Sequence, residues 1–170
     1  MICRLVLAFS VGLVAISASA DDPLPPPSQI VACSPSGKFC AASDPVRQVT
    51  LIISKPSDKV LWSIPGWHRW LFVSDNAESV VIGYDGMNFV DQDVSLNQPV
   101  IFFYDRGKLI RMIRLSDLYR SKSQLQRTAS HLYWGYILGF NRTNQLVVEL
   151  PDARRVAFNA KTGLTENLHP

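Results

Sequence analysis

Pro99-Val100-Ile101-Phe102-Phe103-Tyr104, then Asp105-Arg106-Gly107, then Lys108-Leu109-Ile110-Arg111-Met112-Ile113-Arg114-Leu115 is the stretch that decides the fold class. A continuous run of β-branched and aromatic residues meets a glycine-bearing turn and a second apolar run, which spells a β-hairpin. Upstream, Gln48 to Ser54 alternates and is rich in Val and Ile, as a half-buried strand should be. Val60 to Ile64, Trp70 to Ser74 and Ser79 to Tyr84 continue the series, separated by the turn-like Lys55-Pro56-Ser57-Asp58, Pro65-Gly66 and Asp75-Asn76-Ala77-Glu78. Downstream, His131 to Phe140 reads as one aromatic-rich strand. Gln145 to Leu150 and Arg154 to Asn159 form a further hairpin turned at Pro151-Asp152-Ala153. Only Ser116 to Ser130 breaks the pattern, and its loose Leu118, Tyr119, Leu125, Ala129 spacing predicts a short helix or two helical turns with Ser116 as N-cap. The expectation is an all-β antiparallel domain with one short helical insertion.

The chain of 170 residues is 47% hydrophobic and only 18% charged, which excludes a disordered chain. No internal run approaches the ~20 apolar residues that a spanning helix needs. At the N-terminus Arg4, the uncharged Leu5 to Ile16 and the small-x-small Ala18-Ser19-Ala20 are the three parts of a signal peptide over residues 1–20. Its removal leaves a formal charge of +2, too small for a strong field. Ile30-Val31-Ala32-Cys33 has the look of a lipobox. Asp21, Asp22 and Pro23, Pro25, Pro26 and Pro27 separate it from the apolar run, so we reject that reading. Residues 21–28 are an extended, proline-rich leader and residues 29–170 a single β-rich domain. The expected location is periplasmic or secreted, with no membrane span after processing.

Cys33 and Cys40 remain as an even pair in an exported chain and flank the turn Ser34-Pro35-Ser36-Gly37-Lys38-Phe39. A structural disulfide across a hairpin base is expected, stabilising by about 2–3 kcal/mol in the chain-entropy model. The Cys-x-x-Cys spacing of a reactive dithiol is absent.

Strand, polar turn and Val-rich strand recur at Ser34-Pro35-Ser36-Gly37-Lys38 with Val49 to Ile53, at Val73 to Glu78 with Val80 to Tyr84, and at Phe140 to Asn144 with Leu146 to Glu149. Phe158-Asn159-Ala160-Lys161-Thr162-Gly163 closes the chain in the same style. This phrasing resembles the strand-turn-strand repeats of β-propeller blades, here in a small exported chain. Blades take about 40–50 residues and closed rings need four or more, so the mature length holds three at most. The resemblance implies an antiparallel meander of two to three blade-like units packed as a sandwich or partial propeller. The 116–130 insertion breaks the period and favours the sandwich-like solution, with completion by separate chains as the alternative.

Candidate sites are aromatic. Ile64-Pro65-Gly66-Trp67-His68-Arg69-Trp70 places two tryptophans, a histidine and an arginine after a Pro-Gly turn, the composition of a binding hot spot. In a strand, Trp67 and Arg69 share one face and His68 and Trp70 the other. Trp70 is expected in the core beside Trp62. In His131-Leu132-Tyr133-Trp134-Gly135-Tyr136, alternation sets His131 and Tyr133 on a mixed face able to line a pocket with His68, while large rings go to the core. Neither Gly-x-Ser-x-Gly nor His-Glu-x-x-His occurs. The acids Asp75, Asp85, Asp91 and Asp93 read as solvated loop residues, although Asp91 and Asp93 share a strand face. Asp85, Asn88, Asp91 and Asp93 are rich in oxygen, but the order and closing Glu of an EF-hand are missing. No catalytic residue, metal ligand or cofactor is therefore assigned.

Arg106, Lys108, Arg111, Arg114, Arg120, Lys122 and Arg127 make residues 105–127 locally basic. In an exported chain their counterpart is an envelope anion or acidic partner rather than nucleic acid, and Arg111 and Arg114 point to opposite faces. Asn141-Arg142-Thr143 is a glycosylation sequon, relevant only in a eukaryotic secretory route. The functional expectation is a non-catalytic extracytoplasmic module binding an envelope or extracellular protein or glycan. Contact would run through Trp67, His68, Arg69, Trp70, His131 and Tyr133, with basic support from residues 106–127. The alternatives are a small secreted hydrolase using His131 or His68 with a loop aspartate, and a structural subunit of a propeller-like, oligomeric assembly.

Overall fold

A computed structural model describes residues 23–168. The signal-peptide reading, the first two leader residues and His169 lie outside the described residues.

Three four-stranded antiparallel meanders stand side by side. The first blade is β1 (Ile30–Cys33), β2 (Phe39–Asp44), β3 (Val49–Ser54) and β4 (Lys59–Pro65), paired in chain order. The second is β5 (Leu71–Val73), β6 (Ser79–Gly83), β8 (Pro99–Asp105) and β9 (Lys108–Arg114). The third is β12 (Tyr136–Phe140), β13 (Gln145–Glu149), β14 (Arg155–Asn159) and β15 (Thr165–Glu166). A small sheet joins β7 (Phe89–Asp91), from the long β6–β8 connection, to β11 (His131–Tyr133) and β10 (Gln126–Arg127).

Residues 99–114 form the β8–β9 hairpin. Asp105 pairs with Lys108, and Arg106 and Gly107 both have positive φ (47° and 85°), the backbone of a type I′ turn matched to strand twist. Cys33 and Cys40 are direct cross-strand partners and are joined by a disulfide.

The core explains why the second blade is apolar on both faces. Every residue of β6 is buried. Val80 and Ile82 face the first blade, where they meet Ala41, Ile52 and Ile64. Val81, with Ile101 and Phe103 of β8, faces the third blade and meets Leu146, Val148 and Phe158. A sheet covered on both sides loses the in/out polarity of a half-solvated strand and reads as a continuous apolar run. Each such aliphatic side chain stabilises by about 1.5–3 kcal/mol on burial. Stacking of blade faces in series packs the three meanders as a sandwich or partial propeller.

Two local expectations are corrected. The insertion does hold two helical turns, α1 (Leu115–Leu118) and a 3-10 turn at Lys122–Gln124. Ser116 lies inside α1 rather than capping it. Arg114 holds the N-cap position, and the Asp117 carboxylate accepts from its backbone N–H at 2.8 Å. The stretch from His131 to Phe140 is not one strand but β11 and β12, in different sheets. The break falls at Gly135, whose φ of +148° and a would-be Cβ only 2.8 Å from the Glu149 carbonyl admit no side chain. Trp134 is consequently buried while Tyr136 is exposed, so alternation does not carry across.

Candidate functional site

A cleft opens between the loop that joins the first and second blades and one face of the second blade. β4 ends at Pro65 and Gly66 turns the chain at φ +90°. The loop is held from below by a buried polar pair on β2 and β3. Thr50 Oγ1 donates to the Gly66 carbonyl (3.0 Å) and lies 3.0 Å from Ser43 Oγ, which accepts from the His68 backbone N–H (2.7 Å). His68 Nε2–H donates to the Pro65 carbonyl at 3.0 Å, which fixes the tautomer.

Trp67, His68 and Arg69 form one wall of a cavity of about 340 Å3, and Tyr84 and Asp85 of the β6–β8 connection with Phe102 and Tyr104 of β8 line the other. The Arg69 side chain is only 11% exposed. Its guanidinium carbon stands 4.9 Å from the centre of the Trp67 ring, a cation–π contact. Its Nε is buried without a hydrogen-bond partner among the described residues, and the nearest carboxylate oxygen, on the well-exposed Asp85, is 3.8 Å away. A guanidinium taken out of water with one donor unmet is costly unless something else satisfies it.

The Trp67 side chain is half-buried, and its indole N–H donates to the Ser28 carbonyl of the leader at 2.7 Å. The segment is a loop, not a strand, yet Trp67 and Arg69 do lie together. Trp70 belongs to the core, ringed by Phe72, Trp134 and Tyr136 at 5.8, 6.1 and 5.8 Å.

The second aromatic cluster lies elsewhere. His131 sits opposite Asp91 in the β11–β7 register and lines a separate cavity of about 470 Å3 with Phe89, Tyr84 and the leader residues Pro23 and Leu24. His131 Nδ1 is 2.9 Å from Ser130 Oγ. Tyr133 packs edge-on against Phe89, with ring centres 5.8 Å apart, and burial pushes its phenol pKa up. His68 and His131 thus line neighbouring cavities that share Tyr84, not one pocket. Tyr84 is the residue the sequence reading missed. It stood at the end of a strand with no motif around it, so only the tertiary arrangement reveals its position.

The basic segment does not support this cleft. None of its members lines the cavity. Arg106 pairs with Glu78, Arg114 Nη1 donates to the Asn97 carbonyl (2.6 Å), Arg127 Nη2 donates to Gln92 Oε1 (2.7 Å), and Arg111 packs against Gly163 of the third blade. Among the described residues no group of three or more His, Cys, Asp or Glu side chains is placed to hold a metal ion.

Burial lowers the His68 pKa below its ordinary 6.5, outweighing the Pro65 hydrogen bond and the Asp85 charge that raise it. The unfolded chain then binds more protons, so this contribution to stability is intact above about pH 6.5 and is lost as pH falls through the depressed folded pKa. Urea unfolding followed from about pH 7 to pH 5 is expected to show this decline, and His68→Gln to remove that component. An identical pH profile in the variant would place the dependence on other groups.

No family model and no curated protein matches the chain. Among solved structures it is similar to the β-propeller domain of Cps50 (Swd1) from Myceliophteria thermophila, at 12% identity and a TM-score of 0.38. The match covers 81% of this chain and 39% of that one, so the chain spans well under half of that domain's length. The likeness is a weak one to blade-type β architecture over most of the chain.

Proposed function

We propose that this chain is a non-catalytic extracytoplasmic binding module, and that the cleft around Trp67, His68 and Arg69 is its contact site. One observation carries the reading: a largely buried arginine stacked on a tryptophan, with an unmet Nε donor, in the wall of an aromatic cavity. Such a guanidinium is pre-organised to receive an acceptor group of a protein or glycan while the rings supply apolar contact. The Cys33–Cys40 disulfide supports an oxidising compartment, as does the signal-peptide reading of residues 1–20.

The test is a capture experiment from envelope extract and culture medium with the wild type, Trp67→Ala and Arg69→Ala, each checked for fold by circular dichroism. Loss of an anchor of this kind is expected to weaken binding by roughly 30-fold or more. A partner held equally by all three chains would remove the cleft from the interface. The hydrolase alternative would instead show as turnover of ester, glycoside or peptide substrates that disappears in His68→Gln or in His131→Gln.

A further inference from the structure

We propose that the track from Trp67 to His131 is a recognition groove for proline-rich extended peptides, with the chain's own leader as its resident occupant. The inference goes beyond the Trp67–Arg69 cleft, because it adds a second stretch of surface and the chemistry of the partner that fits it.

The composition of the leader limits what it can do. Residues 23–29 form no helix, strand or turn, and Pro23, Pro25, Pro26 and Pro27 have no backbone N–H to give to a sheet. Each proline keeps its carbonyl and fixes its own φ, so the segment is extended before it meets any surface. A segment of this kind is bound by aromatic side chains that pack on its rings and by a donor that reaches one of its carbonyls. Little chain entropy is lost in the process.

Both elements are present. At one end the Trp67 indole N–H donates to the Ser28 carbonyl at 2.7 Å. At the other, Pro23 and Leu24 lie in the 470 Å3 cavity with Tyr84, Phe89 and His131. Tyr84 lines that cavity and the Trp67 cleft alike, so aromatic side chains continue from one anchor to the other. Leu24 and Ser28 are four residues apart, which spans about 12 Å in an extended proline helix.

The occupant is held lightly and the groove firmly. Residues 23–28 are all exposed, and among the described residues the bond from Trp67 is the one hydrogen bond they make. Beneath them, Phe89 and His131 stand on the paired strands β7 and β11, with ring centres 6.1 Å apart, and Tyr133 packs edge-on against Phe89. The loop that carries Trp67 rests on the buried Thr50 and Ser43 hydroxyls. A fixed groove under a weakly tied segment exchanges that segment for a similar one of a partner.

The test is a titration of the full chain, purified as the cell processes it, with a synthetic peptide of the sequence of residues 21–29. Proton–nitrogen correlation spectra read the Trp67 indole N–H at one end of the track and the His131 amide at the other. The variant P23G/L24S/P25G/P26G/P27G keeps the length of the leader and loses its anchor. It is expected to bind the peptide with a Kd on the order of 100 µM and to shift both signals. The wild type is expected to bind about tenfold more weakly, because its own leader competes. Adding Trp67→Phe to the variant removes the donor and is expected to weaken binding about fivefold. A variant that does not bind at roughly 1 mM overturns the proposal. So do equal affinities of variant and wild type, equal binding of a peptide with glycine at all four prolines, or shifts that spare His131. If the variant fails to fold by near-ultraviolet circular dichroism, the wild type decides. Saturable shifts at both ends in millimolar peptide, absent with the glycine peptide, support the groove, and their absence refutes it. Arg69 is not on the track, so its effect on capture tests the cleft alone and the two readings fail separately.

Discussion

Trp134→Ala is expected to lose about 3–5 kcal/mol of stability, the largest effect of any single truncation in this chain. Trp134 is fully buried and joins parts that are far apart in sequence. Its backbone N–H donates to the Asn88 carbonyl at 2.9 Å, its indole N–H to the Met87 carbonyl at 2.6 Å, and its own carbonyl accepts the Tyr119 hydroxyl. The ring meets Trp70 edge-on. The substitution therefore opens a cavity and also leaves the half-buried Met87 carbonyl without its donor, which adds up to ~1 kcal/mol. Against a typical total of roughly 5–15 kcal/mol the variant is marginal. The urea midpoint is expected to fall by about 2 M for a slope near 2 kcal/mol/M. Trp134→Phe, which keeps a ring and loses the N–H, should fall between. A loss under ~1 kcal/mol in Trp134→Ala would mean that the small sheet and the third blade are held by other contacts.

Gly83→Ala is expected to destabilise by about 2–3 kcal/mol although it adds one methyl group. A Cβ there would lie 2.4 and 2.8 Å from ring atoms of Trp70 and 3.2 Å from Ile137. Trp70 cannot step aside, because Phe72, Trp134 and Tyr136 close the space around it. The backbone of β6 must move instead, and β6 is paired on both edges with β5 and β8. Thermal unfolding measures the loss, and a double-mutant cycle with Trp70→Leu locates it. The smaller side chain should relieve the clash, so the two changes should be less than additive by ~1 kcal/mol or more. Strict additivity would trace the effect to backbone propensity. Gly83 also lines the cleft, so Gly83→Ala links the core directly to the proposed binding site.

Much of the fold was legible because it is local. The β8–β9 and β13–β14 hairpins follow from apolar runs and turn residues adjacent in the chain. The Cys33–Cys40 bridge follows from a turn short enough to place both cysteines opposite each other. The count of two to three blade-like units was also readable from repeated phrasing, and three are present. Reading failed where a glycine changes sheet. At Gly135 nothing in the period-2 pattern marks the jump between β11 and β12, because the requirement comes from the Glu149 carbonyl, fourteen residues away. It failed at Ser116 as well, where a generic N-cap preference yielded to the reach of Asp117 back to the Arg114 backbone. The candidate site divided likewise. The Trp67–Arg69 pairing was within two residues and therefore visible, whereas the distance between His68 and His131 depends on how blades stack.

By itself the sequence determined most of the strands, their turns, the cross-link and the continuous apolar run of Pro99 to Tyr104, since side-chain alternation and turn chemistry act over a few residues. The tertiary structure alone decided that the leader carbonyl of Ser28 meets Trp67, that Tyr84 stands between two cavities, and that Arg69 is buried with an unmet donor. It also decided which apolar face of the first blade is covered. Alternation declares both faces of a sheet, but only the packing of one blade against the next selects the one that leaves water, and that packing joins residues that the chain holds far apart.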